Sequence, residues 1–214
     1  MPRKPLSLLI LLLLLVTACT GDQPQERSEE DLLAKAREIH ERVLTLDTHI
    51  DIPPNFATPE VDPGKRGDAQ VDLPKMEEGG LNAGFWIVYV GQTERTLANY
   101  AQAKEQAMVK FNAIHRMTDE MYPDRVEMAY TADDVERIYK SGKMVALIGI
   151  ENGYVIGKDL ALLQRYHELG ARYITLAHGG HNDIADSSTP RDNLGDGPSE
   201  HDGVSALYLL HSIA

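Results

Sequence analysis

The sequence predicts an α/β fold in which parallel strands alternate with helices, and three observations predict it. Residues 83–90 (AGFWIVYV) and 144–150 (MVALIGI) are continuous apolar, β-prone runs, the pattern of strands covered on both faces. Segments with apolar residues at helical spacing separate the strand-like runs, which is the signature of βαβ units. His49, Asp51, Glu151 and His178 each fall at or just past the carboxyl end of a predicted strand. In a β/α barrel that end carries the chemistry.

Taken in order, residues 1–18 read as a signal peptide. Arg3 and Lys4 precede an eleven-residue apolar run, 6–16, broken only by Ser7, and small residues follow. The run is shorter than the roughly 18 to 20 residues that span a bilayer as a helix. Val16-Thr17-Ala18-Cys19 resembles a bacterial lipobox, which predicts lipidation at Cys19 and a polar tether over 19–30. An ordinary secretory signal with an incidental cysteine is the competing account. A helix capped by Ser28 and Asp31 follows, with Leu32, Leu33, Ala36, Ile39 and Val43 at helical spacing, ending near Glu41. Residues 43–46 predict a short buried strand running into Asp47-Thr48-His49-Ile50-Asp51, ended by Pro53-Pro54. Residues 55–80, rich in Pro, Gly and Asp, read as loop. The 83–90 strand leads into a long helix over 96–122, and Thr131 caps a helix that ends near Gly142. The 144–150 strand ends at Glu151. A helix over 159–169 stops at Gly170, a strand over 173–177 delivers His178, and 179–203 carries no period.

Composition narrows the function. The 214 residues are 43% hydrophobic and 25% charged, with 21 Lys+Arg against 33 Asp+Glu and a net charge of -12. That balance argues against nucleic acid as a partner. Loss of residues 1–18 would remove Arg3 and Lys4 and leave the mature chain more acidic still, so anionic lipid would not attract it electrostatically. With one cysteine no internal disulfide can form.

His49 and Asp51 are two apart, so in extended backbone both side chains project to one side and can share a cation. Alone the pair is also what an ordinary strand-end histidine would look like. Glu151 directly follows seven apolar residues, where a carboxylate is costly unless paired, protonated or metal-bound. An ion pair at the strand end is its plainer explanation. One imidazole and two carboxylates suit zinc or a similar divalent ion. His178 is a fourth polar group at a strand end, with a structural histidine as the alternative. His181 reads as a loop residue, His115 as a packing or helix-capping residue, and Trp86 and Met117 as core.

The stretches DTHID (47–51), VDLPKMEEGGLNAGFWIVYV (71–90), IHRM (114–117), MYP (121–123), VALIGIENGYVIG (145–157), LGARYITLAH (169–178) and ADS (185–187) resemble the membrane dipeptidase family, the renal dipeptidase type of metallopeptidase. The likeness runs from about Leu32 to Ser205. It implies a (β/α)8 TIM-type barrel of the metal-dependent amidohydrolase kind with two zinc ions that cleaves dipeptides, including those with a D- or dehydro-residue on the carboxyl side. It makes His49 and Asp51 ligands of the first zinc, Glu151 the carboxylate bridging both ions, and His178 the histidine facing the scissile carbonyl. No protein nucleophile is needed in that chemistry, and Cys19 could not serve as one.

The sequence departs from that pattern after Gly203-Val204-Ser205. In the family two later histidines complete the second zinc site; here 206–214 diverges, and His211 comes too soon to take such a role. The β/α pattern over 31–205 falls short of the roughly 250 residues of a complete barrel. The expectation is therefore a truncated or frameshifted copy binding at most one zinc ion, with impaired activity and an exposed sheet edge that invites association. The resemblance and the leader together imply an enzyme acting on dipeptides, attached by lipid to the bacterial cell envelope, with a homodimer left open. The alternatives are a non-catalytic lipoprotein remnant and another amidohydrolase-type hydrolase such as a lactonase.

Overall fold

The computed structural model describes residues 28–197 and Ser199; Cys19, His211, the leader and the 206–214 tail lie outside them. The first helix, α1 (Glu29–Arg42), belongs to one compact unit and the chain from Val43 on to another. Ser28 caps α1 as its sequence predicts: Ser28 Oγ accepts from Asp31 N at 3.1 Å while Ser28 N donates to Asp31 Oδ2 at 3.3 Å. No helix among the described residues is long and apolar enough to cross a membrane.

The second unit is a parallel sheet with helices. Its strands are β1 (Leu46–Asp51), β2 (Ala83–Tyr89), β3 (Val126–Met128), β4 (Met144–Glu151) and β5 (Ala171–Ile174). β1, β2 and β4 lie side by side, with Asp51 opposite Ile87 and Tyr89 opposite Glu151. The far edge of β4 is shared: β3 pairs with Met144–Ala146, and β5 with the stretch that contains Ile148 and Ile150. All pairs are parallel, so every strand ends on the same rim.

The helices are α2 (Leu73–Gly79), α3 (Leu97–His115), α4 (Ala132–Lys140) and α5 (Ala161–Glu168). One sheet face, bearing Ile50, Trp86, Val88, Ala146, Ile148 and Ile150, packs with Ala103, Ala107, Phe111 and Ile114 of α3 and Tyr166 of α5. Each such fully buried large aliphatic or aromatic side chain contributes about 1.5–3 kcal/mol of burial free energy. Phe111 and Tyr166 stack at 5.3 Å, and burial pushes the Tyr166 phenol up to about 12. The opposite face is covered at its amino end by α4, where Ile138 meets Val145 and Leu147. Trp86 and Met117, 1% and 0% exposed, are core residues as expected.

Several boundaries differ from the sequence reading. DTHID is itself the body of β1 rather than the sequel to a 43–46 strand; a strand this polar is tolerated because β1 lies at the end of the sheet order, with His49 and Asp51 exposed. The 55–80 segment contains α2, capped by Asp72, which accepts from Lys75 N, and closed by Gly80 in the left-handed region at φ 67°. The 96–122 helix stops at His115 and continues as a π-helical turn over Arg116–Met121. β3 has no counterpart in the sequence reading, and β5 starts and ends earlier than 173–177.

Candidate metal centre

β1 sorts its side chains by alternation. Ile50 is 4% exposed and enters the core; against Gly84 it fills the space a Cβ would occupy. His49 and Asp51, on either side of it, face the other way. Glu151 stands at the end of β4, two strands across, and His178 follows β5. Ligand atoms of His49, Asp51 and Glu151 all lie within 4.8 Å of one another. His49 Nε2 is 3.2 Å from Glu151 Oε2 and 3.8 Å from Asp51 Oδ1. His178 Nε2 is 3.2 Å from the other Glu151 oxygen, Oε1. All four residues that the sequence singles out therefore meet on one rim, with Glu151 between the two imidazoles.

Local structure positions His49, Glu151 and His178. Asp47 Oδ1 accepts from His49 N at 2.8 Å, within the β1 irregularity between Asp47 and Ile50. Tyr173 of β5 reaches across the sheet: its hydroxyl donates to Thr48 O at 2.8 Å and lies 3.4 Å from His49 Nδ1. Its ring lies against Phe85, centroids 5.0 Å apart, over Gly149, where a Cβ would come within 2.6 Å of the ring and hydroxyl. Burial, then the carboxylates of Glu151, Asp51 and Asp47, push the Tyr173 phenol up, so it remains a donor. Glu151 is followed by Asn152 at φ 78°, a conformation that asparagine adopts more readily than most residues. The Asn152 side chain accepts from Asn182 Nδ2 at 3.0 Å and from Tyr154 N at 3.2 Å, tying the end of β4 to the loop after His178. His178 lies edge-on to Tyr89 at 5.3 Å, and its carbonyl accepts from the Ser187 hydroxyl.

His181 and His115 are held by hydrogen bonds away from Glu151. His181 is 1% exposed; its Nδ1 accepts from Ser187 N and its Nε2 pairs with Gly197 O, both at 2.9 Å. His115 Nε2 pairs with Leu169 O at 2.8 Å, at the end of α5.

Two residues near the centre carry little signal in the sequence. Tyr173 reads there only as part of a strand. Lys110 was passed over within a helix, although its place among Ala103, Ala107, Phe111 and Ile114 put a cation on the apolar stripe of α3.

A centre of one imidazole and two carboxylates is a donor set suited to a divalent ion such as zinc. Its exposure grades from Glu151, with 15% of its side chain exposed, to Asp51 with 69%. Asp51 and Glu151 line an open cavity together with His178.

The comparisons with known proteins agree with this arrangement. The family described as membrane dipeptidase (peptidase family M19) matches residues 33–207. Dipeptidase tcpJ of Claviceps purpurea is 37% identical over 131 residues, 59% of this chain and 31% of that protein. Dipeptidase verJ of Clonostachys rogersoniana is 29% identical over 196 residues, 86% of this chain and 50% of that one. The crystal structure of the probable dipeptidase PvdM from Pseudomonas aeruginosa superposes with a TM-score of 0.78 at 28% identity, covering 84% of this chain and 46% of that one. The chain thus spans half or less of the length of these relatives. Parallel strands whose carboxyl ends gather His49, Asp51, Glu151 and His178, together with a family match over residues 33–207, establish that the chain belongs to the membrane dipeptidase family, peptidase family M19.

Proposed function

We propose that the protein is a metal-dependent dipeptidase that hydrolyses the peptide bond of dipeptides at the His49–Asp51–Glu151 centre. The observation that carries this reading is the convergence of those three donors within 4.8 Å at the carboxyl ends of two strands. They would hold one zinc ion per chain, the number that a single donor group among the described residues supports. When bound, such an ion lowers the pKa of a coordinated water and polarises a carbonyl.

The chain's own residues supply the rest. Tyr173 fixes the His49 ring so that Nε2 faces Glu151 and Asp51. Glu151, the least exposed of the three, holds one imidazole against each of its carboxylate oxygens. In this reading His178, whose ring lies edge-on to Tyr89, would donate a hydrogen bond to a carbonyl oxygen as negative charge grows on it. No side-chain nucleophile is required. Lipidation at Cys19, holding the protein at the surface of a bacterial envelope membrane, completes the proposal and rests on the leader sequence alone.

The test is hydrolysis of Ala-Ala by zinc-supplemented protein, with zinc retention measured by elemental analysis. Glu151→Gln is expected to abolish both. Retention of both would mark Glu151 as an ordinary strand-end carboxylate, and cleavage of lactones with Ala-Ala left intact would refute the dipeptidase reading.

A further inference from the structure

A second cavity, of about 430 Å³, is walled by the segment from Pro53 to Asp72 together with Trp86 of β2. That volume is typical of a small-molecule site. The strand register sets Trp86 beside Ile50, which turns into the core while His49 and Asp51 face the other way, so Trp86 belongs to the helix side of the sheet. The two cavities meet at Asp51 and Pro53, which line both. The segment itself is held from several sides. Arg116 donates to Ala57 O at 2.6 Å and to Phe56 O at 3.1 Å, the Tyr122 hydroxyl donates to Asp62, and Gly67 N donates to Asp72 Oδ2 at 3.0 Å. Ala57 stands in the left-handed region at φ 57°, a conformation that is costly for a residue with a Cβ and persists where the surroundings enforce it. The turn sets Phe56 against Trp86, with ring centroids 5.2 Å apart. The walls are therefore fixed by the protein's own contacts.

Trp86 is 1% exposed, and its Nε1–H, a donor that cannot accept, has no acceptor among the described residues. A buried donor in that state keeps the whole cost of its lost hydration. Pro53, Phe56, Pro59, Val61 and Val71 make the other walls largely apolar. Around them stand five carboxylates, those of Asp51, Glu60, Asp62, Asp68 and Asp72, against the two cations Lys65 and Arg66. Both cations are engaged: Lys65 Nζ lies 3.0 Å from Asp62 Oδ2, and Arg66 pairs with Glu78. An anion would meet net repulsion there. A protonated amine would suit the acidic rim but has no lone pair to offer the indole N–H. We propose that this cavity is a binding site for an uncharged ring compound bearing a carbonyl group, whose oxygen accepts from Trp86 Nε1 and whose ring packs against Phe56 and the prolines. The site is separate from the His49–Asp51–Glu151 centre and does not depend on what that centre hydrolyses.

Trp86 is the single tryptophan of the chain, so its indole N–H gives one cross-peak in a proton–nitrogen NMR spectrum and reports on this cavity alone. The experiment titrates the zinc-free full chain with three probes built on the same ring size: ε-caprolactam, which carries a neutral carbonyl, cycloheptylammonium and cycloheptanecarboxylate. The lactam is expected to move the indole proton downfield in a saturable way, as an oxygen accepts from it. The carboxylate should bind at least about tenfold more weakly, and the ammonium should produce no downfield shift. Val71→Phe, which fills the cavity, should abolish lactam binding, and Phe56→Leu, which removes the facing ring, should weaken it several-fold; the dispersion of the remaining cross-peaks checks that each variant is folded. Added zinc and Glu151→Gln should leave lactam binding unchanged. Absence of a saturable shift would mean that water satisfies the indole, and tighter binding of either charged probe would mean that the chemistry is misassigned; either result overturns the proposal. So would lactam binding that survives both Val71→Phe and Phe56→Leu, which places the probe elsewhere, or binding lost on adding zinc or in Glu151→Gln, which makes the cavity part of the metal centre.

Discussion

Gly149 has no side chain so that Tyr173 can cross the sheet. With its hydroxyl donating to Thr48 O, Tyr173 can only accept from His49, which places a proton on Nδ1 and leaves the Nε2 lone pair toward Glu151 and Asp51. That is the tautomer a metal-binding histidine needs, set by a hydrogen bond to its other nitrogen. Tyr173→Phe keeps the ring but strips the Thr48 carbonyl of its donor, so a loss of about 1 kcal/mol in stability is expected. Zinc affinity should fall about tenfold with it. Gly149→Ala would force the ring away and is expected to cost about 1–3 kcal/mol while weakening zinc binding further. Chelator competition and urea denaturation on the two variants check this. Wild-type zinc affinity in both would show that His49 is oriented without Tyr173.

At the scale of elements, α2 illustrates what a short helix depends on. Asp72 is 3% exposed and accepts from Lys75 N at 2.8 Å and from Gly67 N at 3.0 Å, with Lys75 Nζ 3.2 Å away. Burial alone would raise its pKa, but those donors and the Lys75 charge hold the carboxyl below the usual carboxylate range. A carboxyl depressed in the folded state contributes stability above its unfolded pKa of about 3.9, and that stability is lost as pH falls through the folded value. Asp72→Ala is accordingly expected to cost about 1–2 kcal/mol at neutral pH. The gap between wild type and variant in denaturant titrations should close below about pH 4; a gap unchanged with pH would show that Asp72 acts without its charge.

The same elements show what was legible in the sequence. β2 and β4 were readable because continuous burial on two faces leaves a continuous apolar run. β1 is hard to bound in the sequence because a sheet-edge strand rich in polar side chains has little apolar alternation to read, and its conformation comes from pairing with β2. α2 was lost in a Pro-, Gly- and Asp-rich stretch although Asp72 and Pro74 mark a helix start. β3 exists through three register pairs with β4 and has no local signal of its own. His49, Asp51, Glu151 and His178 could be found because a parallel sheet puts every strand's carboxyl end on one rim. Lys110 arrives there from a helix, which strand-end reasoning does not cover.

At the scale of the molecule, one sheet face is sealed by α3 and α5, while the rim of the sheet holds three donors and a buried cation around one cavity. The separation gives rigidity behind the candidate metal site and access in front of it. The most direct measurement is zinc K-edge X-ray absorption on the zinc-loaded full chain. The expected spectrum contains only nitrogen and oxygen neighbours at about 2.0–2.2 Å, with the multiple-scattering signature of an imidazole, lost in Glu151→Gln. A sulfur shell near 2.3 Å, pointing to Cys19, or an imidazole-free shell unchanged in Glu151→Gln would contradict a centre formed by His49, Asp51 and Glu151.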